Sequence, residues 1–312
     1  MTRTRRHAVT GATGYIGRHV AERLLRLDAS VVNLTGHPYR PIPRAWAGDV
    51  LTVPLDFGRP DALRAALAGV DTLFNTWWIR FERGALTFAT AVENSRRLID
   101  AAREAGVRRV VQVSIAHPDA DSPLPYYRGK AAVEDALRAS GISAAIVRPT
   151  VVYGDQDVLI NNMAWTLTHL PVFGVPGVGD YPIQPVFVED LADLMVGLAR
   201  GDEAVTVDAA GPERYTFEEL LRVVRWATGS HAVLVHTPPR LALAGAGLIG
   251  RLKGDVMLTG DELRGLMAGL LATDGPPIGH TSFAQWMVHH AARIGRSYRS
   301  ELARHFDRPR PA

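Results

Sequence analysis

A chain of 312 residues, 47% hydrophobic and 21% charged, is long enough to bury one large core, or one core and a smaller lobe. The formal charge of +3 is spread without a long basic run, which leaves no footprint for nucleic acid. With no cysteine, disulfides, thiolate metal sites and thiol nucleophiles are all excluded, and a reducing, cytoplasmic setting fits.

The twin arginine of the opening MTRTRRH leads into a short strand and not into an apolar signal core, so no export signal is expected. Strand Ala8–Thr10 breaks into the glycines of Thr10-Gly11-Ala12-Thr13-Gly14-Tyr15-Ile16-Gly17. A helix follows, with Ile16, Val20, Leu24 and Leu27 at helical spacing. Gly11, Gly14 and Gly17 would allow a tight turn, the approach of a pyrophosphate and close helix packing, with Thr13, Tyr15, Ile16 and Arg18 beside the phosphates. Ser30–Leu34 reads as the second strand, and no acid ends it. His37, Arg40 and Arg18 are the cations in reach, which favours NADP(H), with NAD(H) still possible. Val50–Leu55 is the third strand. After it, Asp56 is placed either to accept from an adenine amino group or to cap the next helix, and Phe57 adjoins it.

Ala62–Ala68 reads as a helix and Asp71–Thr76 as the fourth strand, whose end brings Asn75 and Thr76 toward the cofactor. Two indoles, Trp77 and Trp78, follow where they could shape or restrict a substrate pocket. A long helix is expected from Gly84 to Ala105, closed by Gly106, and Arg109–Ser114 is the fifth strand. Ala131–Ala139 lies in a helix ended by Gly141, and Ser143–Val147 is the sixth strand. Strands alternating with helices predict an α/β fold with a doubly wound parallel sheet. Pro149 and Val151 follow this strand and are expected on the cofactor side.

Ser114 ends a strand where open α/β sheets hold ligands. Tyr126 and Lys130 stand at i and i+4, on one face if a helix begins there. Lys130 and Lys253 are the two lysines among 35 basic residues, which suggests that a compact ammonium is needed at Lys130. With the glycine motif, Tyr126-x-x-x-Lys130, Arg148-Pro149 before Val152-Tyr153-Gly154, and Val186-Phe-Val-Glu-Asp-Leu-Ala192, the first 200 residues or so resemble the extended and atypical branches of the short-chain dehydrogenase/reductase superfamily, which are epimerase/dehydratase-like. Val113–Glu134 is most similar to members related to the nucleotide-binding accessory subunit of respiratory complex I.

The resemblance implies a Rossmann domain over 1–154 and a smaller C-terminal substrate lobe over 155–312, with 186–200 as a segment that can return to the sheet. It implies oxidoreduction of a small carbonyl or alcohol through Ser114, Tyr126 and Lys130, with Tyr127 a competitor at spacing three. A non-catalytic nucleotide-binding regulator or scaffold is the alternative, and a sugar-nucleotide epimerase or dehydratase a weaker one. The scattered histidines, His289-His290 included, lack metal-ligand spacing, so no metal is expected. Asp155, Gln156 and Asp157 read as a polar loop near the substrate entrance. The longest small-and-apolar run, Leu241–Gly250, is too short to span a bilayer and reads as a buried helix segment, so no stable membrane insertion is expected. Substrate identity and oligomeric state are not legible.

Overall fold

The computed structural model describes residues 5–305; residues 1–4, where the export-signal reading begins, and residues 306–312 lie outside the described residues. Two compact units are present. One runs to Arg148 and takes in Leu191–Val207, and the other comprises Pro149–Asp190 and the chain from Asp208.

In chain order the first unit contains β1 (Arg6–Thr10), α1 (Tyr15–Leu25), β2 (Ser30–Thr35), β3 (Val50–Pro54), α2 (Pro60–Ala66), β4 (Thr72–Asn75), α3 (Phe88–Glu104), β5 (Arg109–Val113), α4 (Pro125–Ala139) and β6 (Ser143–Pro149). The chain continues through β7 (Val151–Tyr153), α5 (Leu159–His169), β8 (Val172–Pro176), β9 (Pro182–Ile183), β10 (Pro185–Phe187), α6 (Val188–Leu198) and β11 (Val205–Ala209). It ends with β12 (Tyr215–Thr216), α7 (Phe217–Ala227), β13 (Val233–Thr237), α8 (Pro239–Lys253), α9 (Gly260–Met267), α10 (Phe283–His290) and α11 (Glu301–His305).

Seven strands form the central sheet in the order β11-β6-β5-β4-β1-β2-β3, and the ladders from β3 across to β6 are parallel. The central strands are buried on both faces because helices cover both sides, so their sequences run apolar and do not alternate. The strand order reverses between β1 and β4, and the crevice beyond their carboxyl ends is where such sheets hold ligands. The core of this unit gathers Leu34, Leu73, Leu98, Val110, Leu137 and Ile146, among others.

Several expectations need correction. The long helix starts at Phe88, capped by Thr87, and not at Gly84, because Gly84 adopts a left-handed φ of 57° inside a tight turn. Within segment 186–200 the residues from Leu191 onward do belong to the first compact unit, but as a helix and not as a strand. Val186 lies in β10, which pairs with β7, and α6 follows; its residues Val188, Leu191, Ala192, Met195 and Val196 are buried at helical spacing. The return to the sheet is made by β11. Leu241–Gly250 is helical, as part of α8, but only Gly250 is buried; Leu241 and Leu248 face solvent. Leu27 lies beyond the end of α1 and is exposed, while Gly17, Val20, Ala21 and Leu24 form the buried stripe.

In the second unit the core packs Tyr153, Ile160, Phe217, Leu220 and Trp286. Asp157 is not on a solvated loop. It is buried, and its carboxylate accepts from the backbone of Ile160 and Gly154 and from Asn161 at the start of α5. Burial is the dominant effect on this group and pushes its pKa up to about 6.

Candidate cofactor and catalytic site

Gly11 adopts a φ of 66°, open to glycine without strain. A Cβ on Gly17 would stand 2.3 Å from the Gly11 carbonyl oxygen, so that position admits no side chain, and one on Gly14 would make a tight 3.0 Å approach to the same oxygen. Gly11 N donates to Leu34 O at 2.7 Å, and Ala12 N donates to Asn33 Oδ1 at 2.9 Å. No side chain caps α1, which leaves the N–H groups of its first turn to an anion. Asn33 was missed by sequence reasoning, although a single polar residue inside the apolar strand Ser-Val-Val-Asn-Leu-Thr was a signal.

Beside this turn is a cavity of about 400 Å³ lined by Thr13, Arg18, Pro41, Ile42, Pro43 and Trp46. Arg18 also pairs with Glu22 at 2.9 Å. His37 and Arg40 lie on the turn between β2 and the Pro41–Pro43 wall, where His37 N donates to Thr35 Oγ1 and Arg40 N to His37 O. Asp56 is exposed and accepts from Gly58 N at 2.9 Å. The N-cap position of α2 is held by Arg59, so the helix-cap reading of Asp56 fails.

At the β1/β4 crevice, Thr10 Oγ1 lies 3.0 Å from Asn75 Oδ1 and accepts from Thr76 N and Trp77 N. Asn75 Nδ2 donates to Gln112 Oε1, and Thr76 Oγ1 donates to Thr10 O. The polar atoms of Asn75 and Thr76 thus tie the strand ends together. Trp77 packs on Phe57 with ring centroids 4.6 Å apart. Pro149 ends β6 and Val151 opens β7, both buried.

Because α4 begins at Pro125, which tolerates the first helical position, Tyr126 and Lys130 share one helical face. Lys130 is 3% exposed; its Nζ donates to Val113 O at 3.0 Å and lies 4.8 Å from the Trp78 ring and 6.0 Å from the Tyr126 ring. Burial lowers its pKa to about 7, opposed by the charge of Glu134. Tyr126 is half-buried between Trp78 and Phe88, with centroids at 6.1 and 5.8 Å, whereas Tyr127 is 6% exposed. Trp78 does not stand free in the pocket. Its six-membered ring lies 3.0 Å from where a Cβ of Gly129 would be, so Gly129 makes its seat against α4.

Ser114 is brought to the same place, but its Oγ donates to Glu134 Oε1 at 2.5 Å. Glu134 is buried and also receives Arg148 through both carboxylate oxygens, at 2.9 and 2.6 Å, and Arg138 at 2.7 Å. Burial pushes the Glu134 carboxyl up, but the bonds from Arg148 and Ser114 outweigh it, and the net shift is downward. Sequence reasoning missed Glu134, although it stands one helical turn beyond Lys130. Among the described residues no group of three or more His, Asp or Glu gathers to hold a metal.

A parallel sheet with a glycine cradle at its switch point defines a dinucleotide-binding Rossmann protein. The sequence matches an NAD(P)H-binding family model over residues 11–163. It is 31% identical over 245 residues to a ceramide reductase of Caulobacter vibrioides, covering 77% of this chain and 76% of that protein. It is 28% identical over 225 residues to the mitochondrial NADH dehydrogenase 1 alpha subcomplex subunit 9 of Arabidopsis thaliana, covering 69% of this chain but only 56% of that subunit. Among solved structures, the NADPH complex of an Escherichia coli NADPH-dependent quinone oxidoreductase superposes with a TM-score of 0.73 at 24% identity, over 90% of this chain and 98% of that one. The chain belongs to the short-chain dehydrogenase/reductase superfamily, in its extended and atypical branch, and its cofactor class is NAD(P)(H).

Proposed function

We propose that the protein is an NADPH-dependent oxidoreductase acting on a carbonyl or alcohol carried by an apolar molecule, with residues 155–312 forming the substrate lobe. The observation that carries this reading is the buried Lys130 ammonium beside Tyr126, with a pKa near 7. Gly11, Gly14 and Gly17 leave room for a pyrophosphate, which Thr13 and Arg18 of the adjoining cavity, with Tyr15 and Ile16 at the start of α1, would hold. The bound cofactor supplies or takes up hydride. Tyr126 passes a proton to or from the substrate oxygen, and Lys130 in its charged form favours the phenolate. Glu134 holds the Ser114 hydrogen, so Ser114 offers its lone pairs and Tyr126 is the main donor to a carbonyl. The Trp78 and Phe88 rings keep water from that oxygen and suit an apolar substrate. The ceramide reductase likeness supports this substrate class.

A second reading, a nucleotide-binding protein without turnover, is favoured by that engaged Ser114 hydroxyl. Calorimetry with NADPH and turnover of reactive apolar ketones, on wild type and Tyr126→Phe, separate the two. Oxidoreduction predicts turnover lost with binding retained. Binding with no turnover by wild type would select the second reading.

A further inference from the structure

From Leu220 to Gly254 the chain carries no Asp or Glu but five cations, Arg222, Arg225, Arg240, Arg251 and Lys253. This stretch forms most of α7 and all of β13 and α8. It also holds six of the twelve large hydrophobic side chains left in solvent among the described residues: Trp226 at 71%, Val233 at 57%, Val235 at 40%, Leu241 at 62%, Leu248 at 59% and Leu252 at 78%. Isolated exposed apolar residues are ordinary, but three of these six, Leu241, Leu248 and Leu252, lie on the single helix α8.

The pattern on α8 is ordered. Leu241, Leu248 and Leu252 recur at i, i+7 and i+11, with Ala244 and Gly245 exposed between them, so they form one apolar stripe. Arg240 and Arg251 fall on the same edge of that stripe, about 16 Å apart along the helix. The opposite face meets the protein through Leu243, near Gly260 of α9. Arg222 is paired with Glu218, and Lys253 lies 4.4 Å over the Trp165 ring. Among the described residues no carboxylate pairs with Arg240 or Arg251. Asp255, the next acid in the chain, is buried and bound to the backbone of Glu301 and Leu302.

We propose that this surface docks on an anionic lipid bilayer, with α8 lying in the headgroup plane, its leucines in the acyl boundary and Arg240 and Arg251 on lipid phosphates. Among the described residues no helix is long and apolar enough to cross a membrane. The 15 residues of α8 extend roughly 22 Å, short of a hydrocarbon core of about 30 Å, so the helix lies on the bilayer. Charge selects an anionic occupant, and one exposed amphipathic helix suits a bilayer, with an acidic protein partner as the rival that absent vesicle binding would favour. A second copy would bring Arg240 and Arg251 against their own kind, and an uncharged partner would leave them without counter-charge, whereas anionic headgroups satisfy both. The inference is independent of whether the nucleotide site turns over.

The test is co-sedimentation of the full chain with vesicles of equimolar phosphatidylglycerol and phosphatidylcholine, against vesicles of phosphatidylcholine alone, at low and high salt. Wild type should partition at least about tenfold more strongly onto the anionic vesicles, and high salt should remove the difference. Leu248→Asp with Leu252→Asp should lose about tenfold on anionic vesicles with an unchanged melting temperature, since both positions are exposed. Arg240→Gln and Arg251→Gln should each lose roughly fivefold on anionic vesicles and little on neutral ones. Equal partition onto both vesicle types, or wild-type binding by the double Asp variant, would overturn the proposal. So would concentration-dependent self-association that Leu248→Asp abolishes without any vesicle binding, which would assign the stripe to a second copy.

Discussion

Ser114 Oγ donates its hydrogen to Glu134 Oε1 at 2.5 Å, linking the end of β5 to the helix that carries Tyr126 and Lys130. This places a negative charge behind the site, and the same charge holds up the pKa of Lys130 against burial. Glu134→Gln keeps the shape and removes the charge. Lys130 should then lose its proton at a lower pH, and the pH–rate profile should shift acidic. Ser114→Ala should leave the profile in place. A profile in Glu134→Gln that superposes on wild type would make Glu134 a structural ion-pair partner only.

Tyr126 and Tyr127 are adjacent in sequence, but only Tyr126 is half-open beside Lys130. Tyr126→Phe is expected to lower turnover by on the order of 10²- to 10⁴-fold with cofactor affinity retained. Tyr127→Phe should change turnover little. Equal loss in the two variants would point to packing of the aromatic cluster as the cause.

Lys130→Arg places a guanidinium where an ammonium is held between Val113 O and the Trp78 ring, so cofactor binding should weaken and the melting temperature fall. Lys253→Arg is the control. Lys253 ends α8 over the Trp165 ring, where a guanidinium stacks equally well, so the change should be silent. Lys130 also sets a pH dependence. Its folded pKa of about 7 lies below the unfolded value, so between pH 7 and 10.5 the unfolded chain holds the extra proton. Stability relative to Lys130→Met should therefore rise with pH across that window and stay constant below it. Parallel stability–pH curves in urea titrations would contradict the low pKa.

With Arg18 in the cavity beside the glycine turn and no acid at the end of β2, NADPH should bind at least tenfold more tightly than NADH, about 1.4 kcal/mol. Arg18→Ala should close that gap by lowering NADPH affinity alone. Calorimetric titration of both cofactors decides it, and equal wild-type affinities would reject Arg18 as the phosphate partner.

Asp71 is held by Arg108, whose Nε and Nη2 both lie 3.0 Å from its carboxylate oxygens, and this bonding brings its pKa down to about 2. A depressed carboxylate stabilises the fold above its unfolded pKa, and the gain is lost as pH falls through the folded value. Wild type should therefore exceed Asp71→Asn by on the order of 1 kcal/mol at pH 7, after solvent screening, and the two should converge between pH 4 and 2. Chemical denaturation across that range measures it.

Elements with local signals were legible before folding was considered. Apolar runs gave the strands, Gly11, Gly14 and Gly17 gave the phosphate turn, and the i, i+4 spacing placed Tyr126 and Lys130 on one helical face once Pro125 opened α4. Features that depend on distant partners emerge in the folded molecule alone. Asn33 holds the glycine turn from a neighbouring strand, Thr10 locks Asn75 and Thr76 across two strands, and Glu134 captures Ser114 from 20 residues away. The same holds for Gly129, whose missing side chain is explained by the indole of Trp78 from the end of β4. The apolar α8 read as buried for a related reason. Helical periodicity reveals which residues share a face, but whether that face meets a core or solvent is set by what the rest of the chain packs against it.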